Sequence, residues 1–305
     1  MPFWRTEIQN IRGFNPETVT MKGKTLQAVA AILLLTGLMW ACTSVTESGG
    51  NKATLEENNT PVRASVAERM VEIAEGPFLF GATEEQFKVY MSASPVHYPG
   101  LAERMRQWFI IPPQQVTLPS FEIDVFEVTN ADYLQFVQAT GYRPADTTDY
   151  LTHWSSPSAF EEWAASFPVV WIAWEDAQAF CEWRNARLPT EQEWEKAARG
   201  TSGLEFPWGN TAPDTETSNF DGERTEPVGN RPGDRSPFDV YDLGGNVAEF
   251  TSTPVSGTGG VVIRGGSFQT GVRELLTYRR DLSVSRYGRR ADLGFRCARS
   301  LSESN

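Results

Sequence analysis

Short strand-like runs, set apart by long loops, constrain this chain more than any other feature. The runs are MVEIAEGPFLFG, QVTLPSFEIDVFEV, PVVWIAW, VVIRGGSF and LGFRCA. Stretches rich in Gly and Pro divide them, drawn from 25 Gly and 19 Pro in 305 residues. No tandem repeat and no heptad pattern is present. Helical spacing is readable in three places. After FEIDVFEVTN, Thr129 or Asn130 caps a helix whose apolar face is Tyr133, Phe136 and Val137, and Gly141 ends it. WEDAQAFCEWRN places Ala177, Phe180 and Cys181 on one face. In PTEQEWEKAARG, Thr190 and Glu193 form a capping box, Trp194, Ala197 and Ala198 make a buried stripe, and Gly200 is the stop. Few helices, short strands and much loop predict an irregular, loop-rich single α+β domain. All ten Trp lie at or before Trp208, and most of them read as core.

The N-terminus reads as an address. Lys22 and Lys24 precede an uncharged stretch from Thr25 to Thr46 that holds AVAAILLLTGLMWAC. A basic region, an apolar region and a small residue before a break make a secretory signal. At the Ala41-Cys42 break the pattern resembles a bacterial lipobox, in which the Cys42 thiol is lipidated. An uncleaved signal anchor is the rival reading, because the stretch is long enough to cross a bilayer. Residues 1–20 carry no targeting logic, which makes Met21 a second candidate start. The expected organisation is an extension and signal segment over 1–42, a polar tether over 43–66 and a folded domain over 67–305. Thr43 is not the Asp that holds lipoproteins at the inner membrane. The expected location is therefore the cell envelope, at the periplasmic face of the outer membrane or exposed on it, with membrane lipid met through Cys42.

Charge and metal-ligand counts exclude whole classes of function. The net charge is −12. Four basic and two acidic residues leave the first 41 residues at +2, so the remainder carries −14. Such a surface repels phosphate backbones, and no nucleic-acid partner is expected. Two His and three Cys are too few for most transition-metal sites. His97 and His153 stand alone in loops and read as surface or packing residues.

Seven blocks now carry a resemblance. GPFLFG, FEIDVFEVTNADYLQFV, FPVVWIAWEDAQAFCEWRNARLPTEQEWEKAARG, FPWGN, EPVGNRPGDRSPFDVYDLGGNVAEFT, VIRGGSF and DLGFRCA follow one another from about Glu72 to Ser300. In kind and order they resemble the formylglycine-generating enzyme (sulfatase-modifying factor) family. The resemblance implies a C-type-lectin-like fold and, in the family's enzymes, oxidation of a sulfatase cysteine by oxygen at Cu(I) held by two thiolates. Counted from Ser267, those thiolate positions fall on Thr270 and Leu275, and no Cys occurs between Ser267 and Cys297. Cu(I) is soft and prefers sulfur, so copper is not expected and no catalytic residue is assigned. The resemblance further implies a structural disulfide between Cys181 and Cys297. It implies calcium at YDLGGNVAEF, with side-chain oxygens from Asp242 and Glu249 and carbonyls from Gly245 and Val247. A second calcium site of the family would begin at Asn219-Phe220; its other half is displaced by a short loop before Pro227-Val228, with Asp221 as the candidate substitute.

The segment after Ser267 also holds Arg273, Arg279, Arg280, Arg286, Arg289 and Arg290. They read either as salt bridges to the acidic majority or as a site for a carboxylate-bearing partner. In the second reading Ser267, Thr270, Arg279 and Arg280 form the pocket. The segment is loosely similar to gliding-motility and secretion-linked lipoproteins of this fold. Two functions follow as expectations. One is a non-catalytic binding or scaffold lipoprotein with an unidentified envelope protein as partner. The other is a sulfatase-modifying oxidoreductase, or a maturation factor for an exported enzyme.

Overall fold

A computed structural model describes residues 69–92 and 100–301. Cys42, the signal segment, the tether, the domain start near Ala67 and His97 lie outside the described residues. Among the described residues there are three small sheets and five α-helices. β1 (Met70–Ile73), β4 (Phe121–Asp124) and β9 (Ala298–Ser300) form one antiparallel sheet with β4 in the middle. β2 (Gly76–Phe80) pairs with β3 (Gln114–Leu118), and α1 (Glu84–Ser92) and α2 (Leu101–Phe109) lie between them in sequence. The third sheet runs β7-β6-β5-β8, from β5 (Ala248–Pro254), β6 (Gly260–Arg264), β7 (Asp281–Ser285) and β8 (Leu293–Gly294). Its β5–β8 pair is parallel.

The three helices expected from spacing are α3 (Asn130–Thr140), α4 (Trp174–Trp183) and α5 (Glu191–Arg199). Thr129 caps α3 and accepts from the Asp132 N–H, while Gly141 closes the helix at φ 66. Tyr133 and Phe136 point into the largest apolar cluster, where they meet Ala177, Phe180 and Cys181 of α4 and Phe250, Leu293 and Phe295 beyond. The Cys181–Cys297 disulfide lies inside that cluster and closes a separation of 116 residues. On α5 the capping box forms as expected: the Thr190 hydroxyl accepts from the Glu193 N–H, and the Glu193 carboxylate accepts from the Thr190 N–H. Trp194, Ala197 and Ala198 pack against Ile73, Phe121, Ile123, Val240 and Leu243.

The polar face of α5 is buried too. Glu195, Lys196 and Arg199 are each fully enclosed. Their charges are met locally: Arg199 pairs with Glu195 at 2.8 Å, Arg264 reaches Glu195 at 2.9 Å, and the Lys196 ammonium donates to the Ala74 and Gly76 carbonyls. Buried charges persist only when paired and hydrogen-bonded in this way.

Two expectations need correcting. PVVWIAW forms no strand: Val169 N–H donates to Val128 O, Trp171 N–H to Arg290 O, and Trp171 O accepts from Leu151 N–H. Each backbone group finds a different loop, so the run is buried without joining a sheet. The exposure of the tryptophans also differs from expectation. Trp154 and Trp194 are core, but Trp163 is 68% exposed and Trp183 38%. Among the described residues no helix is long and apolar enough to cross a membrane.

Candidate functional site

β6 ends at Arg264, and two glycines turn the chain sharply. Gly266 has φ 69, and a Cβ there would stand 2.9 Å from both Thr270 Oγ1 and Leu275 Cδ2. The fold therefore brings the two candidate copper positions to one point. Neither side chain offers sulfur. Thr270 Oγ1 accepts from the Ser267 N–H at 2.8 Å and donates to the Ser267 carbonyl at 3.0 Å, closing a local turn. Leu275 is fully buried among Phe87, Tyr90, Ile110 and Tyr278. Ser267 is fully buried, and its hydroxyl donates to Asp292 Oδ2, which Arg290 also holds. The recess beside them, lined by Arg264, Thr270, Glu274, Arg279, Asp281 and Arg290, is about 30 Å³. These residues do not fit copper.

The arginines of this segment have internal acceptors or aromatic faces. Arg280 pairs with Glu191 at 3.0 Å, Arg286 with Glu175 at 3.1 Å and Arg289 with Asp176 at 3.0 Å. Arg279 lies 3.7 Å from Glu274 and stacks over Phe109, and Arg273 stacks over Tyr90. The structure thus holds Arg279 and Arg280 within the domain's own network: Arg279 shares the recess with Thr270, and Arg280 is turned to Glu191.

The 242–249 loop sits at the start of β5. Asp242 and Asn246 adopt φ 57 and φ 56, and Gly245 adopts φ 143. A Cβ on Gly245 would collide with Ser218 Oγ at 2.5 Å and Asn219 O at 2.6 Å, so only glycine lets the loop close on residues 218–219. This contact sets Asn219, where the second expected calcium site begins, against the loop of the first. Asn219 spends its groups on that closure: its carbonyl accepts from the Asn246 N–H, and its amide donates to Asn246 Oδ1 and Arg224 O. Phe220 is buried against Leu275 and Tyr278.

Glu249 is fully buried and saturated. Its oxygens accept from Trp194 Nε1 at 2.8 Å and from Arg296 Nε and Nη2 at 2.7–3.0 Å. Asp242 accepts from the Gly229 N–H at 2.6 Å. Two further buried acids, Glu127 and Asp234, couple electrostatically to Asp242 and Glu249. Glu249 alone pairs with the Arg296 guanidinium, whose charge also acts on Glu127, Asp234 and Asp242. Burial pushes the Asp242 carboxyl up to about 6. Burial, then Asp242, pushes Asp234 well up; burial, then Asp242 and Glu249, does the same to Glu127. A buried cluster this rich in acid takes up a proton or a cation. Among the described residues no three His, Cys, Asp or Glu side chains converge on one metal position, so a cation here needs main-chain oxygens as well. Calcium accepts carboxylate and carbonyl oxygens together, and on that chemistry the loop fits it.

A larger cavity, about 320 Å³, was not legible in the sequence. Trp163, Phe167, Trp171 and Phe268 give it aromatic walls, with Glu161, Glu223 and Gln269 among its polar groups. Its floor is fixed by Asn130, whose Oδ1 accepts from Trp154 Nε1 at 2.8 Å and lies 2.9 Å from His153 Nε2. Trp171 holds φ 56, a left-handed conformation rare for a bulky residue. An apolar cavity with a few polar groups is the usual form of a ligand site. The one hint in the sequence was Trp163-x-x-x-Phe167 beside a strand-like run, a spacing that core packing explains equally well.

Comparison with known proteins gives one consistent result. The family described as the sulfatase-modifying factor enzyme 1-like domain matches residues 56–301. The inactive C-alpha-formylglycine-generating enzyme 2 of Mus musculus is 31% identical over 243 residues, covering 62% of this chain and 78% of that protein. The formylglycine-generating enzyme of Mus musculus is 28% identical over 236 residues, covering 60% and 58%. Among solved structures, PvdO from Pseudomonas aeruginosa aligns with a TM-score of 0.57 at 22% identity, covering 76% of this chain and 94% of that one.

Proposed function

Because the chain belongs to the sulfatase-modifying factor enzyme 1-like family, we propose that it is a non-catalytic binding or scaffold member of that family, anchored to a bacterial envelope. One observation carries the proposal. The scaffold brings residues 270 and 275 together at Gly266, and they are a hydroxyl already closed on its own turn and a buried isobutyl group. Cu(I) chemistry needs soft donors, and none is on offer there. The aromatic cavity beside Trp163 supplies a concave surface on which a partner can be held. Calcium in the 242–249 loop acts as a structural ion that fixes the start of β5. The enzymatic reading rests on family membership alone, and a fold does not carry a function with it.

Two experiments test this. Purified protein, supplied with Cu(I), oxygen and a cysteine-containing sulfatase-motif peptide, is expected to yield no aldehyde by mass spectrometry and to retain no stoichiometric copper. Aldehyde formation overturns the proposal. Anchoring is tested separately. In a bacterial host the protein is expected to fractionate with membranes and to take up labelled fatty acid, and Cys42→Ser is expected to abolish the label. A label that survives Cys42→Ser rules out lipidation at that residue.

A further inference from the structure

We propose that Asp234, which lies outside the 242–249 loop, is a calcium ligand and completes the site with Asp242. The inference rests on the calcium reading of that loop and changes which acids serve it. Asp234 is 1% exposed. Its Oδ2 accepts from the Gly244 N–H at 3.1 Å, so the carboxylate lies directly on the loop. Its Oδ1 is buried and has no hydrogen-bond partner. A buried carboxylate oxygen left bare is costly, and native folds rarely tolerate one. The backbone holds it in place: the Asp234 N–H donates to Arg231 O, the Asp234 carbonyl accepts from the Asp242 N–H, and the Ser236 N–H donates to Val240 O. The turn that carries the bare oxygen is therefore fixed beside Asp242.

Glu249 has the opposite character. Arg296 and Trp194 occupy its oxygens, and the guanidinium repels a second cation placed against the same carboxylate. Glu249 thus serves as the counter-ion of Arg296. The acidic ligands are Asp234 and Asp242, and the carbonyls of Gly245 and Val247 complete the set. The sequence did not disclose Asp234, because it precedes the loop by eight positions and sits in a separate turn, PGDRSPFD.

The test uses the full chain, stripped with chelator and titrated with calcium alone, read by calorimetry and thermal unfolding. The unaltered protein is expected to bind calcium and unfold at a higher temperature with it. Asp234→Asn keeps the shape and the Gly244 contact, and is expected to lose at least tenfold in affinity and most of the thermal shift. Terbium gives a second readout on the unaltered protein. The Trp208 ring would lie 2.7 Å from a Gly244 Cβ, close enough to sensitise a bound lanthanide, and calcium should displace it. Should the unaltered protein bind neither ion, both the calcium reading and the role of Asp234 fall. Should it bind calcium while Asp234→Asn binds equally well, only the role of Asp234 falls.

Discussion

The Cys181→Ser, Cys297→Ser double variant is expected to be less stable than the oxidised protein by about 4–5 kcal/mol. The disulfide spans 116 residues, so reduction releases a very large loop in the unfolded chain. Both residues are fully buried against Phe180 and Phe295, and serine hydroxyls in that apolar setting add a desolvation cost. Reduction of the native protein isolates the loop contribution, because buried thiols still pack as small apolar groups. Urea titrations with and without reductant provide the measurement. The reduced form should unfold at a lower midpoint with a steeper dependence on urea, since its unfolded chain is more expanded. Coincident curves would mean that the closure takes no measurable entropy from the unfolded chain.

Arg296→Gln is expected to cost about 3–5 kcal/mol, and Glu249→Gln to cost less. The guanidinium makes more than a pair with Glu249: it also donates to the carbonyls of Asp124, Val125 and Tyr241. Removing it leaves Glu127, Asp234, Asp242 and Glu249 buried without their shared cation. Removing the Glu249 charge leaves Arg296 still surrounded by the other three acids, so the cluster moves toward balance. The order of the two losses, compared in chelator, is the diagnostic quantity. If Glu249→Gln were the more damaging change, the excess of negative charge described here would have no energetic meaning.

Local signals disclosed the caps and faces of α3 and α5, because Thr129, Thr190, Gly141 and Gly200 act within a single turn of their own helix, and for α4 they disclosed the face alone. α2 escaped notice for the converse reason: its N-cap is Gly100, with no side-chain cap bond. The strands β5 and β7 lie in AEFTSTP and DLSVS, whose pairing depends on partners elsewhere in the chain. At the site, the lack of sulfur at Thr270 and Leu275 could be read by counting, whereas their common approach to Gly266 could not. The destinations of the arginines could not be read, since Glu191, Glu175 and Asp176 come from α4 and α5, about a hundred positions away. The same limit hid the aromatic cavity, which exists only once distant loops meet, whereas Asp234 went unread because it lies in a separate turn eight positions before the loop.

The edge strand β1 has a mechanical consequence. A load entering at Arg69 first meets only four antiparallel rungs, Met70–Ile73 against Phe121–Asp124. On the far side of β4, β9 follows directly after the cross-linked Cys297. Under tension β1 can peel away while β4, β9 and α4 hold together, so the domain would yield at its margin before its interior opened.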